Sequence, residues 1–248
     1  MNVKEILNWY IDAGVDAICG DETISVSKAD VRASDAKPAV VDAAQMGMMA
    51  CKNARQLCEK AQTLEELAQF VENFDGCQLK ATAKKTVFGD GNEKARVLFV
   101  GEAPGADEDR EGKPFVGKSG MLLNKMLVSI DVERKDCYIT NLVMWRPPGN
   151  RTPTNAEVAV CLPFLKRKIE LIDPEIIVAL GAPAANALLD IEEPISKIRG
   201  KWFEYAPSVG KKIALLPTFH PAYLLRNPLL KAKSWVDLQK LRKKLSNS

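Results

Sequence analysis

The feature that most constrains the fold is a regular alternation of apolar strands and helices that begins near residue 94. Short apolar runs at "ARVLFVG", "CYITNLV", "EIIVALG" and "KIALLPT" alternate with segments of helical periodicity. Continuous apolar runs of this length are typical of strands buried on both faces. The alternation therefore predicts an α/β three-layer sandwich, in which helices flank a central, mostly parallel four-stranded sheet.

The first seventy residues follow a different pattern and look like an added helical extension. Residues 1–24 have apolar side chains near helical spacing, and residues 25–38 are polar and aperiodic, which predicts an N-terminal helix and a flexible linker. Residues 39–73 predict a segment of two helices, the second opened by a capping box of Thr63 and Glu66. Residues 74–248 form the main domain.

Composition excludes few classes of protein. The chain of 248 residues is 46% hydrophobic and 27% charged, which is typical of globular proteins. No apolar run approaches the roughly 20 residues that span a bilayer, and the N-terminus lacks a signal-peptide core, so we expect a cytoplasmic protein without a membrane partner. The net charge of +3 does not indicate a polyanion partner. The basic segment "KAKSWVDLQKLRKKLSNS" fits a nucleic-acid surface and a solvated helix face equally well.

The stretch "GKPFVGKS", residues 112–119, matches the phosphate-binding P-loop pattern. A P-loop leaves a buried strand directly, whereas Gly112 follows a long polar loop with four carboxylates in residues 107–111. Pro114 also lacks an N–H inside the segment that would wrap the phosphates. We interpret the match as coincidental and keep a P-loop NTPase only as an alternative.

Ligands of parallel α/β sheets bind at the loops that leave the carboxyl ends of the strands. Three loops of this chain qualify, at residues 101–117, 141–152 and 218–227. They carry the motifs "GEAPGADEDREGKPFVGKSG", "YITNLVMWRPPGNRTPT" and "TFHPAYLLRNP". Together these motifs resemble the family 4 uracil-DNA glycosylases of the uracil-DNA glycosylase superfamily, over roughly residues 74–246. The resemblance assigns residues 74–248 as the glycosylase domain.

The resemblance implies hydrolysis of the N-glycosidic bond of deoxyuridine in DNA, the first step of base excision repair. The uracil must leave the base stack and enter a pocket that stacks on it and hydrogen-bonds to it. Phe115 matches the stacking aromatic residue, and Asn141 matches the residue that reads the uracil edge. Glu102 and Ala103 are implied to shape the same pocket. We expect a hydrogen bond from the loop of residues 141–152 to fix the orientation of the Asn141 amide.

Two side chains are implied to act on the reacting atoms. His220, the sole histidine of the chain, matches the donor to uracil O2 as negative charge develops on the base. A carboxylate should stabilise the sugar cation or position water, and Glu102, Asp107, Glu108 and Asp109 are the candidates. Of these, Glu108 lies where related branches carry a catalytic acid, and we predict that it has this role.

The expected partner is uracil-containing DNA, single- or double-stranded, bound by a monomer. The candidate phosphate contacts are Lys118, Ser119, Arg146, Asn150, Arg151, Lys197 and Arg199. The residues after the histidine include a candidate wedge that fills the vacated stack, and these are Leu224, Leu225 and Arg226. A non-catalytic module that binds DNA or a base remains an alternative to the enzyme.

Family 4 enzymes usually carry a four-iron, four-sulfur cluster on four cysteines. At the corresponding positions this chain keeps Cys77 and Cys161, but it has Phe74 and Trp145 in place of the other two ligands. Two thiolates cannot hold a cluster that needs four. We therefore predict that the cluster is lost, that a hydrophobic plug replaces it, and that the protein has no cofactor.

Overall fold

The computed structural model describes residues 43–208 and 210–246. Across these residues six strands form one sheet, in the order β1-β3-β2-β4-β6-β5. Their bounds are β1 Asp90–Gly91, β2 Val97–Gly101, β3 Cys137–Asn141, β4 Ile176–Leu180, β5 Phe203–Tyr205 and β6 Ile213–Thr218. The four central strands pair in parallel, and β1 and β5 add antiparallel edges.

The predicted α/β sandwich with a central parallel sheet is confirmed. Every residue of β2, β3 and β4 is buried, which explains why these strands read as continuous apolar runs. The two edge strands were not predicted, because segments of two and three residues are too short to show a periodicity.

Nine α-helices occur in the described part of the chain. They are α1 Ala43–Lys60, α2 Leu64–Glu72, α3 Ala106–Glu111, α4 Lys118–Val128, α5 Asn155–Ile172, α6 Ala182–Leu189, α7 Ile195–Ile198, α8 Pro221–Arg226 and α9 Lys231–Ser246. Short 3-10 helices lie at Gln78–Ala81, Arg134–Asp136, Pro148–Asn150 and Pro228–Leu230. None of the helices in these ranges is long and apolar enough to cross a membrane.

Helices cover both faces of the sheet. Side chains alternate along β2, so that Leu98 and Val100 belong to a core with α5 and α6. Val97 and Phe99 belong to the opposite core with α4 and α9. A third apolar cluster joins α1 and α2 to the N-terminal half of α5.

Two of the predicted loops contain helices. α3 lies within residues 101–117, and α8 lies within residues 218–227. Pro221 occupies the first turn of α8, where its missing N–H is harmless. Pro228 then interrupts the chain, so that the C-terminal helix begins at Lys231 rather than immediately after Arg226.

The segment of residues 39–73 contains the two helices α1 and α2. The hydroxyl of Thr63 accepts a hydrogen bond from the Glu66 N–H at 3.1 Å, as a helix cap does. The Glu66 carboxylate accepts from the Gln62 N–H at 2.7 Å instead of completing the predicted box with Thr63. The predicted N-terminal helix at 1–24 and the linker at 25–38 lie outside the described residues.

Candidate active site

A cavity of about 520 Å³ opens at the carboxyl edge of the sheet, and we call it the motif cavity. The parallel register brings the ends of β2 and β3 side by side there, with Gly101 opposite Asn141. All three predicted loops contribute to its wall. The predicted site residues that line it are Glu102, Ala103, Glu108, Phe115, Ser119, Asn141, Asn150, Arg151, His220 and Arg226.

Asn141 ends β3 and is 2% exposed. Its Oδ1 atom is buried without a hydrogen-bond partner in the described ranges, so the predicted hydrogen bond that fixes the amide is not found at this atom. A buried acceptor left unpaired is costly, which is typical of a group that awaits a ligand donor. A Cβ atom on Gly101 would clash with this oxygen and lie 2.6 Å from the Phe115 ring. The glycine therefore lets both side chains meet above the end of β2.

Phe115 is held in a backbone conformation that non-glycine residues rarely adopt, with φ at 52°. Arg134 stabilises it by donating hydrogen bonds to the carbonyl oxygens of Phe115 at 3.1 Å and of Pro114 at 2.7 Å. The first turn of α4 packs against the same carbonyl, and Gly120 leaves the room for it. The Phe115 ring lies 5.5 Å from the His220 ring, centroid to centroid. Strain maintained by several contacts often marks a binding site.

His220 caps the N-terminus of α8. Its Nδ1 atom accepts a hydrogen bond from the Ala222 N–H at 3.1 Å, so in the neutral ring the proton is on Nε2. Burial, together with the positive charge of Arg226, lowers the pKa of His220 to about 4. At neutral pH the site therefore contains a neutral imidazole with an N–H donor.

Glu108 stabilises the first loop through hydrogen bonds to its backbone. Its Oε1 atom accepts hydrogen bonds from the N–H groups of Val116 and Gly117, both at 2.9 Å. Its Oε2 atom accepts from the Gly105 N–H at 3.1 Å, as part of the cap of α3. Because both oxygens already bind backbone donors, the prediction of Glu108 as the catalytic acid finds no support in this geometry.

The other carboxylates of the first motif have different surroundings. Asp109 is buried and accepts hydrogen bonds from the N–H groups of Lys84 and Lys85, while Asp107 forms an exposed ion pair with Arg110. Glu102 lines the motif cavity, and burial raises its pKa, an effect that a hydrogen bond with Thr152 partly offsets. Of the four candidates, Glu102 is the one that lines the cavity and whose carboxylate accepts no backbone hydrogen bond within the described residues.

The P-loop interpretation is excluded by the same loop. Gly112 ends α3 in a left-handed conformation, so the segment does not leave a strand. The N–H groups of Val116 and Gly117, which a phosphate would require, already bind the Glu108 carboxylate. A carboxylate at this position would repel a phosphate.

Several of the predicted DNA contacts are bound to other side chains. Arg146 donates to the Asn150 Oδ1 atom at 2.8 Å and lies 4.0 Å from the Asp109 carboxylate, outside the cavity wall. Arg151 forms a two-point ion pair with Glu157 at 2.6 and 2.8 Å. Both arginines therefore stabilise the conformation of the second loop.

The remaining side chains predicted to contact DNA divide into exposed and buried ones. Lys118 is exposed at the first position of α4, and Lys197 pairs with Glu193 at 3.2 Å on the surface. The geometry does not support the predicted contact at Arg199, because its guanidinium is largely buried against the Asp237 carboxylate. Leu224, one of the three candidate wedge residues, is 1% exposed within the core, which does not support that role for it.

Two residues that support the site were missed by the sequence analysis. Thr152 lies in the second motif and contacts Glu102, so its place in the motif was the signal that could have revealed it. Arg134 holds the carbonyl of Phe115 from outside every motif, and its position in the sequence contains no signal for this contact.

Comparison with known proteins identifies the family. The model of the "Uracil DNA glycosylase superfamily" matches residues 88–241. The chain belongs to this superfamily.

Among curated members of the superfamily, the type-4 uracil-DNA glycosylase of Thermotoga maritima is 46% identical over 164 residues, which is 66% of this chain and 83% of the relative. The type-4 enzyme of Archaeoglobus fulgidus is 46% identical over 169 residues, 66% of this chain and 84% of the relative. A type-5 uracil-DNA glycosylase of Pyrobaculum aerophilum is 37% identical over 116 residues, 41% and 51% of the two chains. These matches confirm the resemblance to the type-4 glycosylases.

The four-thiolate cluster implied for this branch of the superfamily does not fit the side chains present. The Sγ atoms of Cys77 and Cys161 lie 4.0 Å apart, in an apolar cluster with Phe74 and Trp145. Phe74 packs edge-on against Phe164 with ring centroids 5.1 Å apart. Rings therefore occupy the positions of the two missing ligands, and the described residues contain no group of three or more His, Cys, Asp or Glu side chains suited to a metal.

Proposed function

We propose that this protein is a monofunctional uracil-DNA glycosylase, which hydrolyses the N-glycosidic bond of deoxyuridine in DNA and leaves an abasic site. The observation that supports this most directly is the unpaired, buried Oδ1 atom of Asn141, a residue that lines one cavity together with Phe115 and a neutral His220. An amide, an aromatic face and an N–H donor are the groups that a flipped pyrimidine base requires.

In this proposal the Phe115 ring stacks on the extruded uracil, and the Asn141 Oδ1 atom accepts the hydrogen bond of uracil N3–H. The Nε2–H of His220 donates to uracil O2. Negative charge develops on the base as the glycosidic bond breaks, so this hydrogen bond strengthens in the transition state. A neutral imidazole donates to the leaving base without a proton transfer, which agrees with the lowered pKa of His220.

We infer that Glu102, rather than Glu108, is the carboxylate that acts on the sugar or on the attacking water. Glu102 lines the cavity, whereas both oxygens of Glu108 bind backbone N–H groups. An ionised carboxylate stabilises the oxocarbenium-like sugar of the transition state. Replacing Glu102 by Gln should therefore lower the excision rate and leave the stability of the fold nearly unchanged.

The test is single-turnover excision from an oligonucleotide that contains one uracil, with thymine and hypoxanthine oligonucleotides as comparisons. We expect the wild type to release uracil, and His220→Ala to be slower by roughly 100- to 1,000-fold, as when one oxyanion donor is removed. Binding to uracil-free DNA should stay the same, because phosphate contacts dominate it. A wild type that binds DNA but releases no uracil would instead indicate a non-catalytic binding module.

We also propose that the protein works without an iron–sulfur cluster, and that the apolar cluster of Phe74 and Trp145 takes over its structural role. Trp145 supports this, because its indole N–H donates to the Thr86 hydroxyl at 3.1 Å and ties the second loop to the chain before β1. Purified protein should be colourless near 400 nm and contain no stoichiometric iron. About four irons per active chain would contradict the proposal.

The expected partner is uracil-containing DNA, either single- or double-stranded, and we expect the protein to act as a cytoplasmic monomer. Sedimentation with and without DNA would measure the stoichiometry. Excision from matched single strands and duplexes would measure the strand preference.

A further inference from the structure

A second cavity, of about 240 Å³, lies across α8 from the motif cavity. We call it the α4–α9 groove and define it by Lys125 and Met126 of α4, Leu224 of α8, and Lys231 and Trp235 of α9. The same short helix therefore borders both cavities, since Ala222, Tyr223 and Arg226 face the motif cavity. Nothing in the proposed reaction uses the groove.

The helices around the groove have a one-sided charge. Basic residues number two in α4, one in α8 and six in α9, whereas the only acidic residue of these three helices is Asp237. Asp237 is 1% exposed, and Arg199 neutralises it inside the fold. Of these cations Lys125 and Lys231 line the groove, and no carboxylate does, so its described lining suits a polyanion.

Apolar side chains are exposed between these cations. Trp235 is 40% exposed at the groove, and Leu225 and Leu229 are 42% and 93% exposed on the neighbouring α8 and 3-10 turn. Exposed aromatic residues interleaved with lysines are typical of surfaces that bind unpaired nucleic acid, where bases stack and phosphates pair with cations. A duplex buries its bases and offers no free base face to Trp235.

Lining residues of both cavities lie close together on α4, which suits one continuous strand. Ser119 of α4 lines the motif cavity and Lys125 lines the groove, which separates them by about 9 Å along the helix axis at 1.5 Å per residue. At ~3.4 Å per nucleotide along one strand, this rise corresponds to roughly two to three nucleotides.

We propose that the α4–α9 groove binds an unpaired stretch of the DNA strand that contains the uracil, with a base on Trp235 and phosphates at Lys125 and Lys231. The proposal rests on the proposed function, because it takes the strand in the motif cavity as its starting point. It makes the protein better suited to uracil in single-stranded DNA or at frayed sites than to uracil within a stable duplex.

The test measures binding of uracil-free oligonucleotides by fluorescence anisotropy, and excision under single- and multiple-turnover conditions. Trp235→Ala should weaken binding to a single strand about 10-fold, as when one base–aromatic stack is lost. Binding to a blunt duplex should change little. The single-turnover rate at saturating DNA should stay at the wild-type level, because Trp235 does not touch the reacting base.

Matched controls separate the groove from general surface effects. Trp202 is a second exposed tryptophan that does not line the groove, so Trp202→Ala should leave single-strand binding unchanged. Lys125→Glu should weaken single-strand binding and reduce its salt dependence, whereas Lys94→Glu, before β2 at the opposite edge of the sheet, should not. Trp235→Phe keeps an aromatic face and should retain most of the wild-type affinity for single strands.

The substrate length provides an independent measurement. Oligonucleotides can be shortened from the 5′ or the 3′ side of the uracil. Once the strand is too short to reach the groove, wild type and Trp235→Ala should bind it with equal affinity. If Trp235→Ala and Lys125→Glu both bind single strands with wild-type affinity, the proposal is overturned, and the groove does not bind the DNA strand. A wild type without excision activity, but with Trp235-dependent binding, would instead refute the proposed function alone.

Discussion

The buried amine of Lys168 allows a prediction that is worked directly from the structure. Lys168 lies on α5 with its Nζ atom fully enclosed, where it donates hydrogen bonds to the Phe88 carbonyl and, at 2.8 Å, to the Thr140 hydroxyl. Burial lowers the pKa of Lys168 to about 7, and the nearby thiols of Cys58 and Cys161 oppose this shift only in part. A neutral amine retains the two N–H donors that these acceptors need.

The sign of the pH effect follows from proton uptake. In the unfolded chain the amine has its ordinary pKa near 10.5, so between about pH 7 and 10.5 the unfolded state holds a proton that the folded state lacks. The free energy of unfolding therefore rises with pH in this range, by up to about 1.4 kcal/mol per unit for this group. From pH 7 to pH 10 the contribution amounts to roughly 3 to 4 kcal/mol, because the slope is below its maximum at both ends of the range.

The perturbation is Lys168→Met, which has a similar volume and removes the titrating amine. Thr140 still donates its hydroxyl to the Phe88 carbonyl at 2.8 Å, so this acceptor keeps a hydrogen bond in the variant. Urea unfolding at pH 7, 8, 9 and 10 would measure the free energy of unfolding of the wild type and of the variant. We expect the stability of the wild type, relative to Lys168→Met, to rise by roughly 3 to 4 kcal/mol over this range.

The control is Lys166→Met on the same helix, where the side chain is exposed and the difference from wild type should be independent of pH. The difference between two proteins cancels the titrations that they share. A constant difference between Lys168→Met and wild type would refute the reasoning, because it would mean that the amine keeps its ordinary pKa inside the fold.

The other predictions concern excision, measured under single-turnover conditions. Asn141→Asp should excise uracil roughly 100-fold more slowly or worse, because an ionised carboxylate repels uracil O4 and leaves a buried acceptor unpaired; an unchanged rate would remove Asn141 from base reading. Gly101→Ala should lower the excision rate about 100-fold, since its Cβ atom displaces Asn141 and the Phe115 ring. Wild-type activity in this variant would show that the cavity has room for the extra methyl group. With a pKa of about 4, His220 should give a rate that stays flat from pH 6 to 8; an inflection near pH 6.5 that His220→Asn abolishes would disprove the neutral imidazole.

Sequence reasoning succeeded where a local pattern has one physical cause. The four central strands are buried on both faces, so each is apolar along most of its length and is visible as a run such as "VLFVG". The ends of parallel strands meet at one edge of the sheet, which is why Asn141 and Phe115 could be expected in one cavity from their motifs alone. The edge strands β1 and β5 lack such a pattern because they are so short.

The roles of individual polar residues required the tertiary structure. Glu108 and Glu102 lie in the same motif, yet one binds three backbone N–H groups and the other lines the cavity. Neighbouring leucines in "YLLR" differ in the same way, since Leu224 is in the core and Leu225 is exposed.

The sequence by itself determined the order of the four central strands and of the longer helices between them, the three motifs and the absence of two cluster ligands, because these depend on residues close together in the chain. The tertiary structure decided which charges are available to DNA. Arg199 is bound to Asp237, 38 residues away, and Asp109 is bound to backbone groups 24 and 25 residues away. Partners so distant in sequence are chosen by the packing of the helices on the sheet, and no local pattern encodes them.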